Sequence, residues 1–259
     1  MNFFVLILLC LVQGLTEFLP VSSSGHLLLI EQLFGINENL LLLNLILHLA
    51  TLVSVLIVYR KKILKLLKNP FQPLALKLII STAITVVFAA LFKLLNLEQK
   101  MFKFYGVCFV VTGLILLLSH KFKKHSAVLK RGGIGFGSAI AVGVAQGFAV
   151  LPGLSRSGTT ISALTFCGNG DDESAEYSFL LSIPIIVGGF LVELFECGSG
   201  LAFSGLRFFE CFFVFIFTFL VSFFSLKLMV KILKKGKLFW FAIYLIALGV
   251  FVSAWNLFV

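Results

Sequence analysis

Six long apolar runs dominate the sequence, and each is close to the length that a helix needs to cross a bilayer. A spanning helix takes about 20 consecutive apolar residues. Hydrophobic residues make up 60% of the 259 residues and charged residues 12%, about half of the ~25% that is usual in soluble domains. The chain is therefore predicted to be an all-α polytopic membrane protein with one integral membrane domain, residues 1–259. The predicted spans cover about residues 40–59, 74–95, 104–119, 176–196, 207–230 and 238–258.

Two further apolar regions, residues 2–34 and 134–168, are interrupted halfway by stretches rich in Ser, Gly and Pro. Neither half of either region is long enough to span a bilayer comfortably. Irregular backbone at membrane depth leaves N–H and C=O groups unpaired unless it is buried in protein or lines an aqueous cavity. Each region is therefore predicted to form a re-entrant helical hairpin whose tip lies inside the protein.

The basic residues are concentrated in three of the predicted loops. Sixteen of the 21 Lys and Arg residues lie on one predicted face and four on the other. Because basic residues accumulate on the cytoplasmic side, the first face is predicted to be cytoplasmic. The mouth of the first hairpin and the C-terminus are then predicted to be outside. The net charge of +10 is explained by orientation signals near anionic lipids, and no nucleic-acid partner is predicted. The remaining basic residue, Arg156, lies in the middle of the second interrupted region.

A shift of 133 residues aligns the two interrupted regions. It places Gln13 on Gln146 and residues 22–25 on residues 155–158. Each half then consists of a hairpin followed by three spans, and because three is odd, the second half enters the membrane from the opposite face. An inverted repeat is predicted, with both hairpin tips near the midplane. The halves cover about residues 1–120 and 133–259.

Three ionisable side chains, those of Glu17, His26 and Arg156, lie in or beside the Ser-, Gly- and Pro-rich stretches that interrupt the two apolar regions. A charge near the bilayer centre costs at least about 2.5 kcal/mol on insertion scales, so each is a candidate functional residue. Glu17 follows Gln13 by one helical turn, so the two can share a ligand or a metal ion, or form a structural hydrogen-bonded pair. Glu17 and His26 are candidate acid and base groups for hydrolysis.

Hydroxyl side chains surround the start of the second half-helix in each hairpin. Free N–H groups and the helix dipole bind oxyanions there, and Arg156 adds a planar fork that matches phosphate oxygens. Two such sites facing one another suit a diphosphate. Helix capping is the alternative role of the hydroxyls, and Ser23 is either a nucleophile or a cap. The predicted diphosphate-binding side chains are those of Gln13, Ser22, Ser24, Ser155, Ser157 and Thr160.

Other polar residues receive structural predictions. His48, within the first span, is predicted to be a hydrogen-bonded packing residue. Asp171, Asp172 and Glu173 are predicted to be N-terminal charges of the fourth span. The five cysteines lack the close pairing of a zinc or redox motif and are predicted to be buried small hydrophobic residues.

Two motifs resemble the signatures of the bacterial undecaprenyl-diphosphatase family, the bacitracin-resistance type. Residues 13–26 read QGLTEFLPVSSSGH and residues 152–160 read PGLSRSGTT. The resemblance covers essentially the whole chain, including its length and its repeat. The chain departs from many members at Gln13, where a second Glu is common, and this leaves Glu17 as the main ionisable metal ligand.

The resemblance implies hydrolysis of undecaprenyl pyrophosphate to undecaprenyl phosphate and inorganic phosphate in the bacterial plasma (inner) membrane. This reaction would recycle the lipid carrier for peptidoglycan synthesis and confer bacitracin resistance. A divalent cation, Mg²⁺ or Ca²⁺, is implied as cofactor. Glu17, Ser23, His26 and Arg156 are the candidate catalytic residues, and the attacking group is water, Ser23 or His26. The candidate partners are a polyprenyl diphosphate lipid, the bilayer and a second copy of the chain in a homodimer. An inverted-repeat transporter, or a flippase for the lipid carrier, is the alternative function.

Overall fold

The structure is a computed structural model and describes residues 2–36, 40–125, 133–197, 208–234 and 238–256. Within these ranges it contains twelve α-helices, one short 3₁₀ helix at Phe102–Phe104, and no β-strand. The α-helices are α1 (Phe3–Thr16), α2 (Ser23–Leu33), α3 (Leu41–Val58), α4 (Arg60–Lys68), α5 (Pro73–Leu94), α6 (Leu97–Met101), α7 (Tyr105–His125), α8 (Phe136–Phe148), α9 (Arg156–Phe166), α10 (Asp171–Cys197), α11 (Phe208–Lys234) and α12 (Leu238–Trp255).

Six helices are long and apolar enough to cross a membrane, namely α3, α5, α7, α10, α11 and α12. They coincide with the six predicted runs, so the prediction of an all-α protein with six spans is confirmed. The helix of the fourth span, α10, begins earlier than the apolar run, at Asp171, because the three acidic residues predicted as its N-terminal charges occupy its first turn. Carboxylates stabilise a helix N-terminus through the helix dipole, so a polar first turn extends the helix beyond its apolar part.

The two interrupted regions form two pairs of short helices. α1 has 14 residues and is about 21 Å long, shorter than the ~30 Å hydrocarbon core. α2 and α9 have 11 residues each, and α8 has 13. The lengths therefore agree with half-helices. Their re-entrant position in a bilayer stays a prediction.

Contacts between helices pair the two halves of the chain. α1 packs against α11 and α8 packs against α5, so the first helix of each short pair contacts the second span of the other half. α3 packs against α10, and α7 against α12. Glycines allow the close approaches, since a Cβ on Gly14 would lie 2.8 Å from Val221 and one on Gly249 would lie 2.6 Å from a backbone oxygen of α7. Small residues at helix contacts are typical of membrane helices.

Large apolar side chains cover the outside of the bundle. Ile79, Val87, Phe209 and Trp240 are each more than half exposed, at 59%, 64%, 83% and 67%. Polar groups such as Gln13 and Gln146 lie inside and are at most 1% exposed. This distribution suits a surface in contact with lipid and places the polar chemistry in the interior.

Candidate active site

The tips of the two short helix pairs are in contact. The Arg156 guanidinium, at the start of α9, donates a hydrogen bond to Oε1 of Glu17, just after α1. Ser157 Oγ donates to the carbonyl oxygen of Leu19 at 3.0 Å. Residues separated by about 139 positions in the sequence are therefore joined by an ion pair and a second hydrogen bond.

Local sequence explains how each tip is built. Pro20 cannot continue α1, and Ser22 and Ser155 cap α2 and α9 by accepting from the amides of Gly25 at 3.3 Å and Gly158 at 3.1 Å. Gly153 has φ +87°, and a Cβ there would lie 2.4 Å from a backbone oxygen of α7. The turn before α9 therefore requires glycine.

Three donors surround the Glu17 carboxylate. Gln13 Nε2 donates to Oε2 at 3.0 Å, Ser23 Oγ donates to the same oxygen at 2.7 Å, and Arg156 holds Oε1. The Glu17 side chain is 1% exposed and that of Arg156 is 22% exposed. A buried ion pair with all its hydrogen bonds is tolerated, whereas removing one partner costs about 3–5 kcal/mol. The ionised state of Glu17 is thus stabilised by groups from both tips.

A cavity of about 290 Å³ opens beside this cluster. One part of its wall is polar and is formed by the tips, and another part is apolar and is formed by the turn before α9 and by α10. The polar side chains from the tips are those of Thr16, Glu17, Ser22, Ser23, Ser24, Ser155 and Arg156. The apolar ones are those of Ala149, Val150, Leu154, Ile185, Ile186 and Phe190. The cavity can therefore accept a molecule with one anionic end and one apolar end.

His26 lies outside the wall of this cavity and is held by two hydrogen bonds. Its Nδ1 lies 2.7 Å from the Ser22 carbonyl oxygen and its Nε2 lies 2.7 Å from the Tyr244 hydroxyl. A carbonyl oxygen only accepts, so Nδ1 carries the proton and Nε2 accepts from Tyr244. The ring also stacks on Tyr244 and meets Phe109 edge to face. This histidine therefore anchors the start of α2.

The predicted phosphate-binding residues divide into two groups. Ser22, Ser24 and Ser155 line the cavity. The side chains of Gln13, Ser157 and Thr160 do not line it, and each makes at least one hydrogen bond to another protein group. Thr160 is fully buried, and its hydroxyl lies 2.6 Å from Ser178 Oγ, which ties α9 to α10.

Three further polar residues line the cavity without belonging to either tip: His48, Thr85 and Gln146. Gln146 Nε2 donates to Thr85 Oγ1 at 3.0 Å, and Gln146 Oε1 is buried with no partner among the residues that the structure describes. His48 Nδ1 donates to the Asn44 carbonyl at 2.9 Å, as expected of a packing histidine, yet the residue also reaches the cavity.

Two of these three residues carry a signal in the sequence. The 133-residue repeat places Gln146 on Gln13, and His48 is an ionisable residue inside a span, which is itself an indication of function. Thr85 carries no such signal, since threonine is ordinary in a membrane helix. Thr85 reaches the cavity wall because α5 packs against α8, a contact that the sequence alone does not reveal.

The available ligands fit a divalent cation that binds together with a phosphate. Within the described ranges no group of three or more His, Cys, Asp or Glu side chains could hold a metal ion. Glu17 supplies one carboxylate, and Oε1 of Gln13 is buried without a partner among the described residues, as is that of Gln146. Carboxylate and carboxamide oxygens are ligands for Ca²⁺ and Mg²⁺, and Mg²⁺ is usually held by one or two carboxylates plus substrate phosphates. The donor set therefore fits a shared site and not a closed protein site.

Comparison with known proteins covers almost the entire chain. The family model described as bacitracin resistance protein BacA matches residues 6–251. An undecaprenyl-diphosphatase of Carboxydothermus hydrogenoformans is 43% identical over 256 residues, which is 96% of this chain and 96% of the relative. One of Treponema denticola is 37% identical over 270 residues, covering 98% and 97%. One of Halothermothrix orenii is 38% identical over 257 residues, covering 97% of each. The chain belongs to the bacitracin resistance protein BacA family.

Proposed function

We propose that this protein hydrolyses undecaprenyl pyrophosphate to undecaprenyl phosphate and inorganic phosphate. Three similar proteins bear the name of that enzyme and align over nearly their full length. The observation that carries the proposal is the cluster of Glu17, Ser23 and Arg156 at the junction of the two tips, next to a cavity. It places a hydroxyl, a carboxylate and a guanidinium group side by side, and these would serve as nucleophile, base and phosphate-binding cation.

The cavity suits both ends of such a lipid. The diphosphate would lie against the tips, where the N–H groups at the starts of α2 and α9 and the Arg156 side chain attract oxyanions. The first isoprene units would lie against the apolar wall formed by Ile185, Ile186 and Phe190. Pro184 precedes this wall in α10 and removes one backbone hydrogen bond of that helix. The lipid tail would continue into the bilayer.

The Arg156 guanidinium has further N–H donors that can bind a phosphate. A guanidinium carries five N–H donors, and among the described residues Glu17 is its ion-pair partner. The remaining donors would bind non-bridging oxygens of the substrate while Glu17 keeps the side chain in place. Charge stabilisation of this kind is usually the largest single contribution to phosphoryl transfer.

Ser23 is the proposed nucleophile and Glu17 the proposed base. The Ser23 oxygen would attack the terminal phosphorus, its proton would pass to Glu17, and the bond from that phosphorus to the bridging oxygen would break. Undecaprenyl phosphate would leave with the bridging oxygen and its electron pair. Glu17 would give the proton to the departing undecaprenyl phosphate. Water would then attack the phosphoserine with Glu17 again as base, the Ser23 oxygen would leave and take that proton from Glu17, and inorganic phosphate would be released. A hydroxyl hydrogen-bonded to an adjacent base is the usual arrangement of an activated nucleophile.

A divalent cation, Mg²⁺ or Ca²⁺, would add positive charge at the phosphates when it is bound. Glu17 and the carboxamide oxygens of Gln13 and Gln146 are the residues that would hold it. The unpartnered state of both carboxamide oxygens among the described residues supports this assignment.

The cellular setting is the bacterial plasma (inner) membrane, where the reaction would recycle the lipid carrier for peptidoglycan synthesis. Six apolar spans support a multi-pass membrane protein. The excess of Lys and Arg on one predicted face supports an orientation with that face in the cytoplasm. Resistance to bacitracin would follow from an increased supply of the monophosphate carrier.

The decisive test is release of inorganic phosphate from undecaprenyl pyrophosphate by purified protein in detergent, with and without a chelator. Detergent micelles have no separate compartments, so a transporter or flippase gives no signal in this assay. The wild type is expected to turn over, while Glu17→Gln and Arg156→Lys are expected to lose nearly all activity. Glu31→Gln, a change of the same kind on α2 outside the cavity, is the matched control. No phosphate release by the wild type with either Mg²⁺ or Ca²⁺ would exclude hydrolysis.

A further inference from the structure

A second cavity lies where α3 passes into α4 and both approach α11. Its volume is about 340 Å³, and none of the residues that line it borders the candidate active site. Four cationic side chains contribute to its wall, those of Arg60, Lys61, Lys62 and Lys227. The proposed hydrolysis assigns no role to this cavity.

Positive charge exceeds negative charge around the cavity. Lys62 is paired with Glu176. Lys227 lies over the Phe223 ring, 4.0 Å from its centroid. Arg60 and Lys61 are exposed, and neither has an ion-pair partner in the part of the chain that the structure describes.

Two acidic side chains face the same region. Glu176 and Asp172 of α10 both lie within electrostatic range of Tyr59, which is part of the cavity wall. Glu176 is engaged by Lys62. The four cations outnumber the two carboxylates, so the surroundings of the cavity carry a net positive charge. The cavity therefore suits an anion.

The position along the helices indicates the level of lipid head groups. Lys227 comes seven residues before the end of α11 at Lys234, about 10 Å from that end. Ile57 and Val58 are the last residues of the span α3, and they supply an apolar wall together with Phe223. Cations therefore lie directly beside apolar surface at the end of two spans.

The helix α4 has the composition of a helix that lies on a membrane surface. Its nine residues, Arg60–Lys68, contain five cations. Leu64 and Leu67 are 57% and 71% exposed. A short helix with a basic face and exposed leucines lies in the membrane interface.

We propose that this cavity binds the phosphate head group of an anionic phospholipid from the leaflet that contacts α4. Basic pockets between membrane helices are typical sites for such head groups. Arg60, Lys61 and Lys227 bind the phosphate, and the first carbons of the acyl chains pack on Ile57 and Phe223. The apolar wall favours a lipid over free phosphate. The site is independent of the proposed hydrolysis.

The test is a titration of the full chain, purified in a non-ionic detergent, with short-chain phosphatidylglycerol. Binding is measured by calorimetry. Phosphatidylcholine with the same chains and inorganic phosphate are titrated in parallel. The triple variant Arg60→Gln/Lys61→Gln/Lys227→Gln is expected to bind phosphatidylglycerol roughly a hundredfold more weakly than the wild type. Each cation near an anionic head group raises the affinity by about fivefold.

The matched control is Lys65→Gln/Lys68→Gln/Lys77→Gln. It removes the same charge from α4 and α5, including Lys77, whose ammonium group also lies over an aromatic ring, that of Phe136. Its affinity is expected to stay within about threefold of the wild type. Melting temperatures of both variants verify folding. The double variant Arg60→Gln/Lys61→Gln changes only exposed side chains, and it must also lose affinity.

Three results would overturn the proposal. Equal losses in the triple variant and its control would indicate attraction to the whole basic face and not a site. Equal binding of phosphatidylcholine would remove the role of the anionic charge. Binding of inorganic phosphate with the same dependence on the three cations would make the ligand a free anion and not a lipid.

Discussion

The hydroxyl oxygen of Ser23 lies 2.7 Å from Oε2 of Glu17, although Glu17 directly follows α1 and Ser23 begins α2. The hydroxyl is the donor, since the carboxylate is held ionised by Arg156. Because its proton is donated to Glu17, the Ser23 oxygen keeps its lone pairs, and both residues line the cavity. Neighbouring serines differ in this respect, since Ser22 caps α2 and Ser24 Oγ lies 3.4 Å from Ser22 Oγ.

Ser23→Ala is expected to lower kcat by more than about a thousandfold, because loss of a nucleophile removes the step that the other site residues assist. Ser24→Ala, a change of the same size one residue away, is the control and is expected to keep kcat within about tenfold. Rapid quenching with substrate labelled in its terminal phosphate should trap label on the wild-type protein. Near-normal turnover by Ser23→Ala would show that water attacks directly.

The Glu17–Arg156 ion pair is expected to contribute to stability as well as to activity. Either single change, Glu17→Gln or Arg156→Gln, leaves one charge buried without its partner and should destabilise the fold by about 3–5 kcal/mol. The double variant should be less destabilised than the sum of the two, because neither charge remains. Unfolding in detergent, analysed as a double-mutant cycle, measures the coupling. Additive losses would mean that the two side chains stabilise the protein independently.

The six spans could be predicted from the sequence because each depends on local composition. A run such as residues 40–59 is apolar throughout, and in a bilayer only a helix satisfies its backbone. The apolar run of the fourth span begins at about residue 176, whereas its helix begins at Asp171, because the first turn carries the three acidic residues that the sequence predicts as N-terminal charges.

The candidate site could be predicted in part. Glu17, Ser23 and Arg156 are polar residues within apolar regions, which indicates a functional site, and the structure brings them together. The direction of each side chain could not be predicted, since it depends on packing between helices distant in sequence. The position of His26 depends on Tyr244, which is 218 residues away. No local pattern encodes that contact.

His26 is expected to act as a positioning residue, because both of its ring nitrogens are bonded to protein groups. His26→Gln should lower kcat while the pH–rate profile keeps its shape, since the ring exchanges no proton with the substrate. Tyr244→Phe leaves Nε2 without its donor and should lower stability by about 1–3 kcal/mol. Tyr244→Phe is also expected to lower kcat, by a smaller factor than His26→Gln. Loss of one limb of the pH profile in His26→Gln would instead identify the ring as an acid or base.

Gln146 is expected to affect the response to the divalent cation. Its amide orientation is fixed by the hydrogen bond to Thr85, which leaves Oε1 as a buried acceptor in a residue that lines the cavity. Gln146→Leu, which keeps the size and removes the acceptor, should raise the Mg²⁺ or Ca²⁺ concentration needed for half-maximal phosphate release by roughly 10–100-fold. Thr85→Val removes the orienting hydroxyl and should produce a smaller shift in the same direction.

The control is Ser182→Ala, which changes a buried polar residue of α10 whose hydroxyl bonds to the Phe179 carbonyl. It should leave the cation dependence unchanged. Direct cation binding by calorimetry, in the presence of a non-hydrolysable diphosphate lipid, separates this effect from turnover. If Gln146→Leu binds the cation as tightly as the wild type there, Gln146 is no ligand and its oxygen serves only the packing of α8 against α5.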